Sequence, residues 1–216
     1  MCGWCASFDR RMSKYYNDKY QSNESYWGKQ PSSLARIFLQ KFPPHEGQTL
    51  MEIGSGEGRD SIFFARNGYL VRGFDFSAEG VKKSIAWADE LNLSIDFFQA
   101  DINEHRLDKP YDVVFASGAL HYIPQHLREE IISSYKSFTN PGGVHAFMVP
   151  IYKPFIPRNP QDDPLEQNWI SGEILTHYYD WKIEFFSEEI LDDIFSDFKY
   201  KFPVNRIIAR EPSRLV

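Results

Sequence analysis

The stretch Thr49-Leu50-Met51-Glu52-Ile53-Gly54-Ser55-Gly56-Glu57-Gly58-Arg59-Asp60 decides the fold. Its apolar start predicts a short strand over residues 49–53 that runs straight into a glycine loop. Roughly twenty residues on, Gly73-Phe74-Asp75-Phe76-Ser77 ends a second apolar run on a carboxylate. This spacing builds a nucleoside-binding crevice. The glycines let backbone N–H groups approach a ligand, and Asp75 offers two acceptor oxygens to ribose hydroxyls.

Outward from this stretch, strand and helix patterns alternate. Pro31-Ser32-Ser33 opens an amphipathic stretch carrying Leu34, Ile37, Phe38 and Leu39, which predicts a helix ending near Lys41. A helix over residues 60–67 stops at Gly68, a natural helix-ending residue. A strand follows over 70–74, and Ser77 caps a helix running to about residue 91. Strands are expected over 95–100 and 112–117, a helix over 125–138, and a fifth strand over 144–149 after Asn140-Pro141-Gly142-Gly143. Residues 111–116 are nearly all apolar, as in a strand covered on both faces. Repeated βα units with right-handed crossovers imply an α/β, three-layer, Rossmann-like doubly wound sheet. Beyond it, 150–169 reads as a long loop, 171–179 as a short helix and 187–197 as an acidic helical piece. That piece separates two late strands, 182–186 and 205–209. An antiparallel hairpin of these two at one sheet edge would set the mostly parallel fold apart from a plain dinucleotide domain.

The chain has 216 residues, enough for one large domain with a full core. No apolar run approaches the roughly 20 residues needed to span a bilayer, and no export signal is visible, so a cytoplasmic protein is expected. A net charge of -6 without a clustered basic patch argues against a nucleic-acid partner. The only cysteines, Cys2 and Cys5, lie at the terminus without a preceding strand and read as inert. No residue set has the spacing of a metal site.

The glycine loop discriminates among nucleoside ligands. A dinucleotide fingerprint places its third glycine where this chain has Arg59, a bulky charge at a close helix–strand contact. No Gly-Lys-Ser/Thr follows, so the loop is not a P-loop. It resembles the class I S-adenosylmethionine-dependent methyltransferases. Glu52 to Gly58 looks like their first motif, and Asp75 stands where their ribose-binding acid stands. Ala100-Asp101-Ile102 is similar to the segment flanking adenine, Tyr111 to Ser117 to the fourth-strand motif, and Asn140 to Gly143 to the turn before the fifth strand. Within that class the nearest likeness is to tellurite-resistance (TehB-type) and thiopurine-type small-molecule enzymes. It is carried by Tyr26-Trp27-Gly28-Lys29-Gln30-Pro31-Ser32, Gly58-Arg59-Asp60-Ser61 and the segment from Gly172 to Trp181. The tellurite-type enzymes commonly have basic residues before the tyrosine pair. Here Thr176 and His177 stand there, which weakens the reading of an oxyanion substrate.

The resemblance implies S-adenosyl-L-methionine as cofactor and a small-molecule methyl acceptor as partner. Its methionine carboxylate would lie at the positive helix end formed by Gly56, Gly58 and Arg59. Asp101 and the Ile102 amide would serve adenine, with Gly54, Phe76 and Ser117 completing the cofactor contacts. Glu52 is read either as a water-mediated contact to the methionine amine or as a strand-end carboxylate. Arg59 is read either near the methionine carboxylate or substrate, or paired with Glu57 or Asp60. The sulfonium favours aromatic faces, which Tyr16, Tyr26 or Trp27 can offer. Residues 1–30 are therefore expected to form an aromatic lid on a catalytic domain spanning 31–216. A soft thiol or chalcogen acceptor needs no general base. For a hydroxyl or amine, His121 is the first candidate and His177 the second; each reads equally as a plain wall or packing residue. Two other classes stand beside this one: a cofactor-binding protein without transfer activity, and a nicotinamide-dependent oxidoreductase.

Overall fold

In the computed structural model, which describes residues 15–21, 24–157, 168–192 and 201–212, helices and strands alternate as the sequence implies. Residues 15–20 are helical. Helix α1 (Ser33–Lys41) leads into β1 (Thr49–Ile53), α2 (Arg59–Arg66), β2 (Leu70–Asp75), α3 (Ala78–Glu90) and β3 (Asp96–Gln99). Next come β4 (Tyr111–Ser117), α4 (Arg128–Ser137), β5 (Thr139–Pro150) and a single α-helical turn, α5 (Glu173–Thr176). The long strands β6 (Lys182–Asp192) and β7 (Lys201–Arg210) complete the order.

Across the sheet the strands run β3-β2-β1-β4-β5-β7-β6. The first five are parallel, and β7 pairs antiparallel with both β5 and β6. This is the expected doubly wound sheet with an antiparallel edge. Winding reverses between β1 and β4, so a ligand crevice opens beyond their carboxyl ends. Alternate residues of these strands feed two cores. Leu50, Val113 and Phe115 meet Phe38 of α1, Phe64 of α2 and Ile208 on one face. Met51, Ile53, Val114 and Ala116 meet Ile131, Ile132 and Tyr135 of α4 on the other. Both faces of β4 are thereby covered, which explains its unbroken apolar run.

The caps follow local chemistry. Ser32 Oγ accepts from the Ala35 amide at 3.1 Å to start α1, and Ser77 Oγ accepts from the Gly80 amide at 3.1 Å to start α3.

Several expected boundaries differ. The helix expected over 125–138 opens as a 3-10 turn, Gln125–Leu127, and becomes α-helical only at Arg128. β5 begins at Thr139 rather than at residue 144, because Tyr111 already pairs with Thr139 before a register shift. Asn140 Nδ2 donates to Asp112 Oδ1 at 2.7 Å, so the turn-like residues 140–143 form an irregularity inside the ladder. The helix expected over 171–179 contracts to α5. The late strands are longer than expected, and the acidic piece expected to be helical is strand through Asp192, paired with Lys201 of β7. Residues 193–197, Cys2 and Cys5 lie outside the described residues. Among the described residues no helix is long and apolar enough to cross a membrane.

Candidate active site

β1 ends where the glycine loop begins, and the Ser55 amide ties the loop to the Phe74 carbonyl of β2 at 2.8 Å. Two glycines are there because no side chain fits. Gly54 has φ 70°, and a Cβ on it would lie 2.4 Å from the Ala119 Cβ just beyond β4. Gly58 has φ 86°, and its Cβ would lie 2.7 Å from the Ser84 Cβ of α3. The loop therefore packs tightly against both neighbouring βα connections. Gly56, at φ 54°, turns its amide inward.

That amide donates to Asp75 Oδ2 at 2.7 Å, and the Ser77 amide donates to Oδ1 at 2.8 Å. The carboxylate is thus fixed by backbone, and each oxygen keeps a lone pair for a further donor. Burial pushes the Asp75 pKa up to about 6, against the opposing pull of the Ser77, Gly56 and Phe76 amides.

Beneath the loop lie two more carboxylates. Glu52, 3% exposed, accepts from Ser61 Oγ, and Asp60, 1% exposed, accepts from the Ser32 amide at 2.6 Å. Burial raises both above the usual carboxylate range, and the Asp60 charge adds to the effect on Glu52. Glu52 anchors the loop to the first turn of α2. Asp60 joins that turn to the start of α1.

The aromatic N-terminal segment lies across the loop. Tyr20 is buried between Gly56 and Gly80, with its hydroxyl 3.1 Å from the position a Gly56 Cβ would take. Trp27 Nε1 donates to the Tyr20 hydroxyl at 2.9 Å, and Arg59 Nη1 donates to the Trp27 carbonyl at 3.0 Å. Asn17 Oδ1 accepts from Ser77 Oγ at 2.5 Å, beside Asp75. Tyr16 and Tyr122 share a hydroxyl–hydroxyl bond of 2.8 Å, which joins the N-terminal segment to the turn after β4. The Lys19 ammonium lies 4.0 Å from the Tyr15 ring centre and 4.8 Å from that of Tyr26. Its aromatic surroundings already accommodate a cation.

The remaining expected cofactor residues line the neighbouring strand ends. The Ala100 amide donates to the Asp75 carbonyl at 3.0 Å, which brings Asp101 beside the second strand. Asp101 Oδ1 accepts from the Asn103 amide at 2.8 Å, Ile102 is buried in the core, and the Phe76 carbonyl accepts from Gln99 at 3.0 Å. Ser117 ends β4, and its buried hydroxyl has no hydrogen-bond partner among the described residues; Ser55 Oγ after β1 is in the same state. Unsatisfied buried hydroxyls at these two strand ends suit a polar ligand that supplies the missing bonds. A Cβ at Gly118 would meet nothing within 4 Å. The donor set therefore fits an adenosyl compound.

The two histidines occupy different surroundings. His121 lies in the 3-10 turn Leu120–Tyr122 directly after β4, 5% exposed, with its ring centre 4.2 Å from that of Tyr122. His177 pairs through Nδ1 with Glu129 of α4 at 2.8 Å. Its link to the His121 turn is indirect: its ring centre is 5.9 Å from that of Trp169, whose Nε1 donates to the Leu120 carbonyl at 3.1 Å. Of the residues next to His177, Tyr178 is buried on His145 and Tyr179 is 89% exposed.

Sequence reasoning did not assign Tyr20, Asn17, Lys83, Arg128 or Trp169 to this region. Only the concentration of aromatics before α1 pointed toward Tyr20. The others meet partners far away in the chain and leave no local pattern.

The sheet order, the glycine loop and the carboxylate at the end of β2 define the class of fold: it is that of the class I S-adenosylmethionine-dependent methyltransferases. The family model described as "Tellurite resistance protein TehB" matches residues 8–198. The chain belongs to that family. It is 22% identical over 141 residues to the Haemophilus influenzae (strain Rd) protein named "Probable S-adenosyl-L-methionine-dependent methyltransferase TehB", covering 65% of this chain and 48% of the relative. It is 25% identical over 140 residues to "Hemagglutinin 1" of Eikenella corrodens, covering 65% of this chain and 46% of the relative. The chain thus spans about half the length of these curated relatives. The crystal structure of TehB from Haemophilus influenzae superposes with a TM-score of 0.75 at 19% identity, over 92% of this chain and 66% of that one.

Proposed function

We propose that this protein transfers the methyl group of S-adenosyl-L-methionine to a small-molecule nucleophile, a thiol, a chalcogen oxyanion or a similar acceptor. The observation that carries this reading is Asp75. Its carboxylate stands at the reversal of the sheet, oriented by the Gly56 and Ser77 amides, with acceptor capacity left for a ribose diol. The cofactor supplies an electrophilic methyl carbon on a sulfonium. The chain's residues have to bind, orient and exclude water.

In this reading the methionine carboxylate lies at the start of α2, while the Ser55, Gly56 and Gly58 amides, engaged with the Phe74 carbonyl, Asp75 and the Ser55 carbonyl, keep the loop in shape. Asp101 and the Ile102 amide serve adenine, and the Ser55 and Ser117 hydroxyls supply further donors. Residues 1–30 form the extension whose part from residue 15 onward covers the cofactor, and 31–216 the catalytic domain. A thiol or chalcogen acceptor needs alignment alone. A hydroxyl or amine acceptor calls on His121, in the turn after β4, ahead of His177, which is engaged with Glu129.

Calorimetric titration with S-adenosylhomocysteine, set against NADH, tests the reading. Asp75→Ala is expected to weaken S-adenosylhomocysteine at least tenfold, about 1.4 kcal/mol, as for a hydrogen bond to a charged group. Because the ionised carboxylate is the acceptor, affinity should also fall as pH drops below about 6 in the native protein, and this slope should vanish in the variant. Unchanged affinity in a folded Asp75→Ala protein would show that the ribose lies elsewhere.

A further inference from the structure

The glycine loop carries two charged side chains, Glu57 and Arg59, one on each side of Gly58. Both turn toward the same residue. The Trp27 amide donates to Glu57 Oε2 at 3.4 Å, and the Trp27 carbonyl accepts from Arg59 Nη1 at 3.0 Å. One peptide segment is thus held through its N–H and its C=O by neighbours of a single loop glycine. Glu57 is 4% exposed, and its other oxygen pairs with Lys83 of α3. Lys83 in turn donates to the Glu24 carbonyl at 2.9 Å, at the start of the same segment. The Trp27 ring leans the same way, through Nε1 to the Tyr20 hydroxyl and with the Arg59 guanidinium 6.0 Å from its centre.

We infer that Glu57 and Arg59 are positioning residues that staple Trp27, and with it residues 24–30, onto the glycine loop, so that they govern how long the cofactor stays bound. The inference rests on the cofactor reading above and adds a division of labour. Asp75 and the start of α2 would hold the ligand, while the two loop side chains hold its cover. It also gives a physical reason for a charged residue at position 59, where a dinucleotide loop has glycine. A close helix–strand contact is exchanged for a side chain that reaches the N-terminal segment. Backbone recognition explains how Trp27 is held without any demand on its indole, and partial burial strengthens the charge-assisted bonds involved.

The test measures association and release of S-adenosylhomocysteine by stopped flow, with hydrogen exchange of residues 24–30 alongside. The proteins compared are wild type, Arg59→Met, Glu57→Gln, the double variant and Arg59→Lys. Arg59→Met is expected to release the compound about tenfold faster, as for the loss of one charge-assisted bond, with association little changed. The double variant should release it faster still. Exchange of residues 24–30 should rise in both, with and without the compound. Arg59→Lys keeps one cationic donor and should recover most of the residence time. Release at the wild-type rate from a folded Arg59→Met protein would overturn the inference. So would faster release without any change in exchange of 24–30, since Arg59 would then act on the ligand directly. Failure of the wild-type protein to bind the compound would instead overturn the cofactor reading. The exchange comparison in ligand-free protein would still decide whether the staple holds the segment.

Discussion

At the carboxyl end of β1, geometry is held by main chain: two amides fix Asp75, and glycines let the loop press against Ala119 and Ser84. On the far side of β4, the wall around Trp169 is held by side-chain charge. Arg128, 2% exposed, bonds Glu173 at 2.5 Å, the Asn168 carbonyl at 3.1 Å and the Ile123 carbonyl at 3.2 Å, with its guanidinium 4.1 Å from the Trp169 ring centre. Glu188 of β6 similarly gathers Lys153, Ser171 and Asn205. A site built from amides tolerates side-chain change except at its glycines. A wall that leans on one buried guanidinium depends on that residue.

The largest effect should come from breaking the charged wall. Arg128→Met leaves Glu173 without its partner and two carbonyls without a donor, and should cost about 3–5 kcal/mol in chemical denaturation. Loss below about 1 kcal/mol would mean that the wall is held by packing alone. On the main-chain side, Gly54→Ala forces a Cβ against Ala119 at positive φ and should cost about 2–3 kcal/mol, with weakened S-adenosylhomocysteine binding in calorimetry. Ser55→Ala in the same loop should leave stability nearly unchanged, which sharpens the contrast.

A smaller effect tests the buried polar contact between β5 and the segment after α5. His145 lies between the Thr139 hydroxyl at 2.7 Å and the Tyr178 hydroxyl at 2.6 Å. Burial, aided by the Lys136 charge, pushes its pKa down to about 3. The folded protein therefore keeps this ring neutral, while the unfolded chain takes a proton below the ordinary value of 6.5. Stability is complete above that pH and declines as pH falls toward 3. At pH 5 the loss is about 2 kcal/mol. Asp75, raised to about 6, acts with the opposite sign in part of this window, so the quantity to compare is the wild-type slope against that of His145→Gln. A variant with an unaltered slope between pH 7 and 5 would show that His145 titrates normally.

What was legible in the chain follows the same division. β1 falls on the expected residues 49–53, and Ser77 caps α3 as its type predicts, because these features are written in local periodicity and cap chemistry. The fold class followed from the repeated βα units and the two late strands, and the glycine loop with Asp75 carried the reading of the ligand crevice. The acidic stretch after Phe186 has helical composition, yet becomes strand because pairing with β7 outweighs local preference; Glu189 meets the nearly buried Arg206 across the hairpin at 2.7 Å. Asn140 to Gly143 looked like a turn, but the Asp112–Asn140 bond keeps it within the ladder. Glu57 and Arg59, which hold the Trp27 backbone, and Glu173, which pairs with Arg128, lie about thirty or more residues from them, and no spacing rule reaches them.

β6 forms the outer margin of the sheet, and its backbone on that side has no strand beside it among the described residues. Lys182, Glu184, Glu188, Glu189 and Asp192 punctuate it, and Ile183 and Ile190 are its half-exposed apolar members. A second chain approaching to extend the sheet would have to desolvate this mostly anionic row and bring like charges together. Such a fringe discourages fibre-like growth from this flank of the sheet, opposite the short edge strand β3.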